Sequence, residues 1–172
     1  MKGPAMLERT YTEHQSFRFT WSYWLCLALT LLFFYVCFQQ IILQQPFGHN
    51  PAPNSILVLC CLLMLSLCAL LHCSSLQLQL DKQGLAVRFV PFINNWRKHA
   101  WQEIKDIRVV SYNPIGDYGG WGIRGAKNRR CYNISGKQGL EVLLQDGKHI
   151  LIGTQQKEQL SLWLAATKTL RA

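Results

Sequence analysis

The sequence predicts a two-helix transmembrane hairpin followed by an all-β domain of about seven strands, a half-open barrel or sandwich closed by a C-terminal capping α-helix. Three observations predict it. No Asp, Glu, Lys or Arg occurs between Arg18 and Asp81. After Leu76 the apolar residues stop running together and begin to alternate. The last turn-free stretch, QQKEQLSLWLAATKTL, returns to helical spacing.

Residues 1–18 read as an N-terminal tail. Two apolar segments follow, residues 19–43 and 55–76, each meeting the roughly 20-residue length that a helix needs to cross the hydrocarbon core. The first is longer than the roughly 7 to 15 apolar residues of a secretory signal and has no small-residue cleavage site after it, so it reads as a retained anchor. Residues 44–54 contain QQPFGHNPAPN, a turn rich in proline and asparagine, with Asn54 in position to cap the second helix. An antiparallel hairpin results.

Charge orients it. The loop has no Lys or Arg, the tail carries Lys2, Arg9 and Arg18, and 15 of the 18 basic residues follow the second helix. By the positive-inside rule both termini face the cytoplasm. Trp21, Tyr23 and Trp24 suit an aromatic belt at that interface. Six of seven cysteines fall in the apolar segments and only Cys131 outside, which is no disulfide framework. The sequon-like Asn133-Ile134-Ser135 then faces the cytoplasm, where no glycosylation is expected.

Residues 77–172 form the second part. LQLQLD alternates, DKQG turns, and Leu85, Val87 and Phe89 alternate again, the mark of a hairpin. Further strands are expected near Trp96–Trp101, Ile107–Tyr112, Trp121–Arg124, Arg130–Ser135, Leu140–Gln145 and His149–Gly153, divided by Asn-Pro, Gly-Gly and Asp-Gly turn chemistry. The final helix places Leu160, Trp163, Leu164, Thr167 and Leu170 on one face, with Thr154 positioned as its cap. Such a helix is the right size to close the open end of a small, bent antiparallel sheet.

The WQEI at Trp101–Ile104, YGGWGIR at Tyr118–Arg124, YNISGKQGLEVLLQDG and HILIGTQQKEQL, in this order, resemble the bacterial membrane-anchored proteins with a pleckstrin-homology-like domain. The resemblance covers nearly all of residues 76–170. It implies a PH-like fold at the bacterial inner membrane and leaves the biochemical role open.

Within YGGWGIRG, Gly120, Gly122 and Gly125 spell G-x-G-x-x-G. A phosphate loop of this spacing must open a helix whose N-terminus meets the phosphates. Here AKNRRCYNIS follows, which reads as a strand. Gly119, Gly120, Gly122 and Gly125 are therefore expected to serve a tight bend in the backbone. The neighbouring Trp121, Arg124, Lys127, Arg129 and Arg130 are the candidate contacts for an anionic lipid or a protein partner. The domain as a whole carries 15 basic against seven acidic residues, a net charge of +8, and each basic residue close to an anionic leaflet is worth about 1 kcal/mol.

A second constellation, Cys61, Met64, Cys68 and His72, repeats along one face of the second apolar helix. Such soft ligands would suit Cu(I), but small cysteines also pack well between helices, and packing is the expected role. No cofactor is expected. His99 and His149 are placed at the surface, and no nucleophile elbow or carboxylate pair appears, so an enzyme is not expected. No RNA-binding signature is present, and nucleic acid is not an expected partner. The reading is a membrane-anchored interaction or scaffolding module, with an anionic-headgroup sensor and a metal-handling protein as alternatives. Its partner is an unidentified protein or a second copy of the chain.

Overall fold

The computed structural model describes residues 10–126 and 128–169. They divide into two compact units, Ser16–Ser74 and the chain on either side of it.

The helical unit begins with a single 3-10 turn at Phe17–Phe19, after which Thr20 caps α1 (Trp21–Cys37) by accepting the Tyr23 amide at 3.4 Å. One wider turn carries the helix on to Ile42, giving 22 residues from Trp21, and α2 (Asn54–Cys73) has 20. Both are long and apolar enough to cross a membrane. Asn54 is the first residue of α2 and does not cap it; Pro53 holds the cap position without a side-chain bond. The Asn54 Oδ1 instead accepts from Gln40 Nε2 at 2.8 Å, tying the two inner helix ends together. At the other end the Tyr23 hydroxyl and His72 Nδ1 share a hydrogen bond of 3.0 Å, so the helices are antiparallel. Small side chains fill the seam between them: Cys26, Thr30, Cys61 and Cys68 are buried. Leu25, Leu31, Leu32, Leu62 and Leu63 point outward and are exposed, a display suited to lipid.

Among its described residues the other unit holds nine strands, where about seven were expected, arranged in two sheets, and no closed barrel forms. The first sheet has the order β1 (Tyr11–Ser16), β2 (Ser75–Leu80), β3 (Gly84–Val90), β4 (Ile93–Ala100). The chain leaves it through a 3-10 turn at Trp101–Glu103, which separates β4 from the first strand of the second sheet. The second sheet has the order β5-β8-β9-β7-β6, with β5 at Ile104–Ser111, β6 at Gly122–Ala126, β7 at Arg129–Asn133, β8 at Gln138–Leu144 and β9 at His149–Gly153. The chain reverses twice between β7 and β9, so these two neighbours run parallel in a sheet expected to be wholly antiparallel. Asn113 caps a five-residue helix, α3 (Pro114–Tyr118), where only an Asn-Pro turn was expected.

Alternation builds the core. Leu76, Leu78 and Leu80 pair with Phe89, Val87 and Leu85, all nearly inaccessible. Leu140, Val142, Tyr132 and Ile152 supply the second sheet's share. The last helix, α4 (Lys157–Thr169), adds Leu160 and Leu164. Trp163, expected at the centre of that stripe, is only half-buried and stacks on Trp101 with ring centroids 6.3 Å apart. Leu170, the last residue of the expected stripe, lies outside the described residues.

Strand β1 lies in what the sequence reading treated as a tail. Its buried face is polar, with Glu13 4% and Gln15 2% exposed. The Glu13 carboxylate accepts four hydrogen bonds, from Tyr11 Oη (2.8 Å), Gln15 Nε2 (2.9 Å), Thr154 Oγ1 (2.6 Å) and the Gln155 amide (2.7 Å). Gln15 Nε2 also reaches the Gly153 carbonyl at 2.7 Å. Thr154, expected as the cap of α4, accepts the Gln156 amide at 3.1 Å while donating to Glu13.

Candidate functional site

Strands β6 and β7 form the hairpin that holds the glycines and the basic cluster. Gly119, Gly120, Gly122 and Gly125 all have positive φ, at 72°, 123°, 104° and 84°. At Gly125 the need is absolute: a Cβ there would sit 2.0 Å from the Arg129 carbonyl oxygen, inside the strand pair. The segment after Gly125 is strand β7 and not a helix, so no helix N-terminus faces these glycines.

Period two then divides the basic residues. Arg124 pairs with Cys131, and Gly125 with Arg130, so Arg124 and Arg129 lie on one face of the sheet and Arg130 on the other. On the first face Arg124 Nε donates to the Trp121 carbonyl at 2.9 Å. The Arg129 guanidinium sits 5.0 Å over the Tyr118 ring, and a hydrogen bond with Tyr118 holds its pKa above the usual guanidinium value. Trp121 has a buried indole N–H with no partner among the described residues. Lys127 lies outside the described residues. The three described cations of this cluster, Arg124, Arg129 and Arg130, are therefore not one patch.

Beneath this face Asn133 is fully buried, accepting the Gly122 amide at 2.8 Å and donating to Tyr112 Oη at 3.0 Å. Burial pushes the Tyr112 phenol and the Cys131 thiol each up to about 12. The only thiol of the β unit is thus kept protonated and shielded, the condition of an inert cysteine.

The other face, that of Arg130, opens into a cavity of about 790 Å³ between the two sheets. Val87, Tyr132, Leu144 and Ile150 form its apolar inner wall. Around them stand Arg97, Lys98, His99, Arg130, Lys148 and His149. Strand β4 supplies the first three: Arg97 is opposite Val87 and His99 opposite Leu85, so both leave the sheet on its core side. Arg97 Nη1 donates to Tyr132 Oη at 3.2 Å, joining the sheets across the cavity. The β8–β9 turn supplies Lys148, which pairs with Asp146 at 2.5 Å and holds that carboxyl below the usual carboxylate range. His99 Nδ1 lies 3.6 Å from Glu103. Among the described residues, no carboxylate comes within salt-bridge distance of Arg97, Lys98 or Arg130.

No family model, curated protein sequence or solved structure matches this chain. What the β unit does is therefore read from its own geometry.

Of the described residues expected to bind a partner, only Arg130 lines this cavity. Arg97, Lys98 and Lys148 went unnoticed because WRKH and GKH read as ordinary polar strand ends. The available signal was register: with Val87 opposite position 97, alternation turns an arginine toward the core. His99, expected at the surface, lines the cavity with its side chain 21% exposed.

In the helical unit, Cys61 and Cys68 lie in the seam with α1, and the Met64 carbonyl stands 3.4 Å from the Thr30 hydroxyl. His72 is turned to Tyr23. The stripe does not converge: among the described residues no three His, Cys, Asp or Glu side chains cluster in a way that could hold a metal ion.

Proposed function

We propose that this protein is a membrane-anchored, non-catalytic interaction module. In this reading α1 and α2 cross the bacterial inner membrane, both termini lie in the cytoplasm, and the β unit is a pleckstrin-homology-like domain that holds a protein partner or a second copy of the chain. The observation that carries it is the adjacency of β1 and β2 in one sheet. One precedes α1 and the other follows α2, so they can be neighbours only on the same side of a bilayer, and a hairpin of two crossings satisfies that. The missing Lys and Arg in residues 44–54, against 15 of 18 after α2, support that side being the inner one. The two sheets and the final helix support the PH-like assignment.

A second reading is favoured by the cavity. Arg97 and Arg130 line it from opposite sheets and have no carboxylate within salt-bridge distance among the described residues, which suits an anionic ligand, so the module would sense a negatively charged group rather than only tether a protein. The basic hairpin is the weaker lipid surface of the two, because its charges are divided between opposite faces.

Topology reporters test the anchor. A reporter fused after Ala172 should report cytoplasm and one inserted beside Gly48 the periplasm; the reverse pattern, or both on one side, would overturn the reading.

A further inference from the structure

We infer that the cavity between the sheets is a receptor for a phosphomonoester, with Arg97 and Arg130 gripping the phosphate from opposite sheets. The inference rests on the second reading above and names its ligand class. Lys148 and His99 already have Asp146 and Glu103 beside them. Among the described residues, the cations turned to the cavity with no carboxylate within salt-bridge distance are Arg97, on the core face of β4, and Arg130, half-buried on β7.

Two guanidinium groups favour phosphate over a single carboxylate. Each offers a planar fork that matches two oxygens of a tetrahedral dianion, and a monoester has three free oxygens to share between them. The cavity, at about 790 Å³, falls in the range of about 300 to 1,000 Å³ typical of small-molecule sites, so it has room for an organic body as well. Tyr132 and Ile150 offer that body an apolar surface, and the side chains of Gln102 and Gln145 offer it hydrogen bonds. The same chemistry is presented by a soluble phosphomonoester and by the headgroup of a lipid such as phosphatidic acid.

The test uses the full chain in phosphatidylcholine nanodiscs, titrated calorimetrically with glycerol 3-phosphate and with citrate. In parallel, nanodiscs containing phosphatidic acid are made and the lipid retained by the protein is measured by native mass spectrometry. The expected result is saturable binding in at least one phosphate arm, weakened at least tenfold by Arg97→Gln and by Arg130→Gln. Lys137→Gln, in the β7–β8 turn and outside the cavity lining, should leave it unchanged, and circular dichroism melts should show all three variants folded. Arg130→Lys keeps the charge but loses the fork, and should fall between wild type and Arg130→Gln. Glycerol 3-phosphate binding that persists undiminished in phosphatidic acid discs assigns a soluble source; retention of phosphatidic acid that glycerol 3-phosphate displaces assigns a lipid one. Binding of neither phosphate ligand, or equal binding by wild type and the two cavity variants, overturns the inference. Saturable citrate binding without phosphate binding also overturns it, while leaving the anionic-ligand reading in place.

Discussion

Glu13 shows how a single residue can hold one end of the β unit together. An ionised carboxylate is acceptor-only with about four lone-pair sites, and Glu13 meets four donors while buried. Burial and the contact with Glu13 together push the Tyr11 phenol well above its ordinary range, so Tyr11 stays a donor. Replacing Glu13 by Leu would leave Tyr11, Gln15, Thr154 and the Gln155 amide short of an acceptor. Since each buried donor left unsatisfied costs about 1 to 3 kcal/mol, the expected loss is a large part of the stability of a small domain. A drop in melting temperature of well over ten degrees should be seen, with Glu13→Gln in between; an unchanged melt would show that β1 is not fastened through this residue. Cys131 illustrates the opposite condition, a reactive atom made quiet by burial. Unfolding restores its ordinary value of 9.0, against about 12 when folded. The unfolded chain thus releases the proton first, and stability declines as pH rises through that window.

At the scale of elements, legibility followed the simplicity of the pattern. Strands β2, β3 and β9 were readable because apolar residues alternate or run together in them, as in LQLQL and HILIG. Strand β1 was not, because YTEHQS buries Glu13 and Gln15, and an alternation whose inner members are polar carries no hydrophobic signal. Helix α3 is only five residues long and contains Gly116, below what periodicity can register. The basic hairpin was found, yet its division between two faces depends on the Gly125–Arg130 register, which a lone sequence does not reveal. Helix α4 was expected in the right place, but over a stretch that begins two residues before Lys157 and with the wrong centre. Leu160 is wholly buried whereas Trp163 is half-exposed. Leu160→Ala should therefore cost about 2 to 5 kcal/mol through transfer and cavity terms, and Trp163→Ala less. Melting curves of the two purified variants decide it; a larger loss for Trp163→Ala would mean that its stacking on Trp101 is what holds the helix.

On the scale of the whole molecule, the helical segment is an insert in the β unit, which is built from residues on both sides of it. Cutting the chain between Ser74 and Ser75 would remove β1, bare the edge of β2 and leave Thr154 without Glu13. Replacing residues 17–73 by a short Gly-Ser bridge keeps both ends, and the product should be soluble and melt cooperatively, while the fragment starting at Ser75 should aggregate or melt lower. Equal melting of the two would show that β1 is dispensable. The same arrangement sets a timetable for biosynthesis. Strand β1 leaves the ribosome first, but its neighbour β2 is made only after both apolar helices, and Thr154, the partner of Glu13, later still. On the proposed membrane reading, a nascent chain carries an unpaired strand through the whole of membrane insertion, and its N-terminal segment must be kept waiting on the side where β2 will emerge. In that reading, α1 entering in the wrong orientation would leave the strand across the bilayer from its sheet, so completing the fold would certify the topology of the proposed anchor.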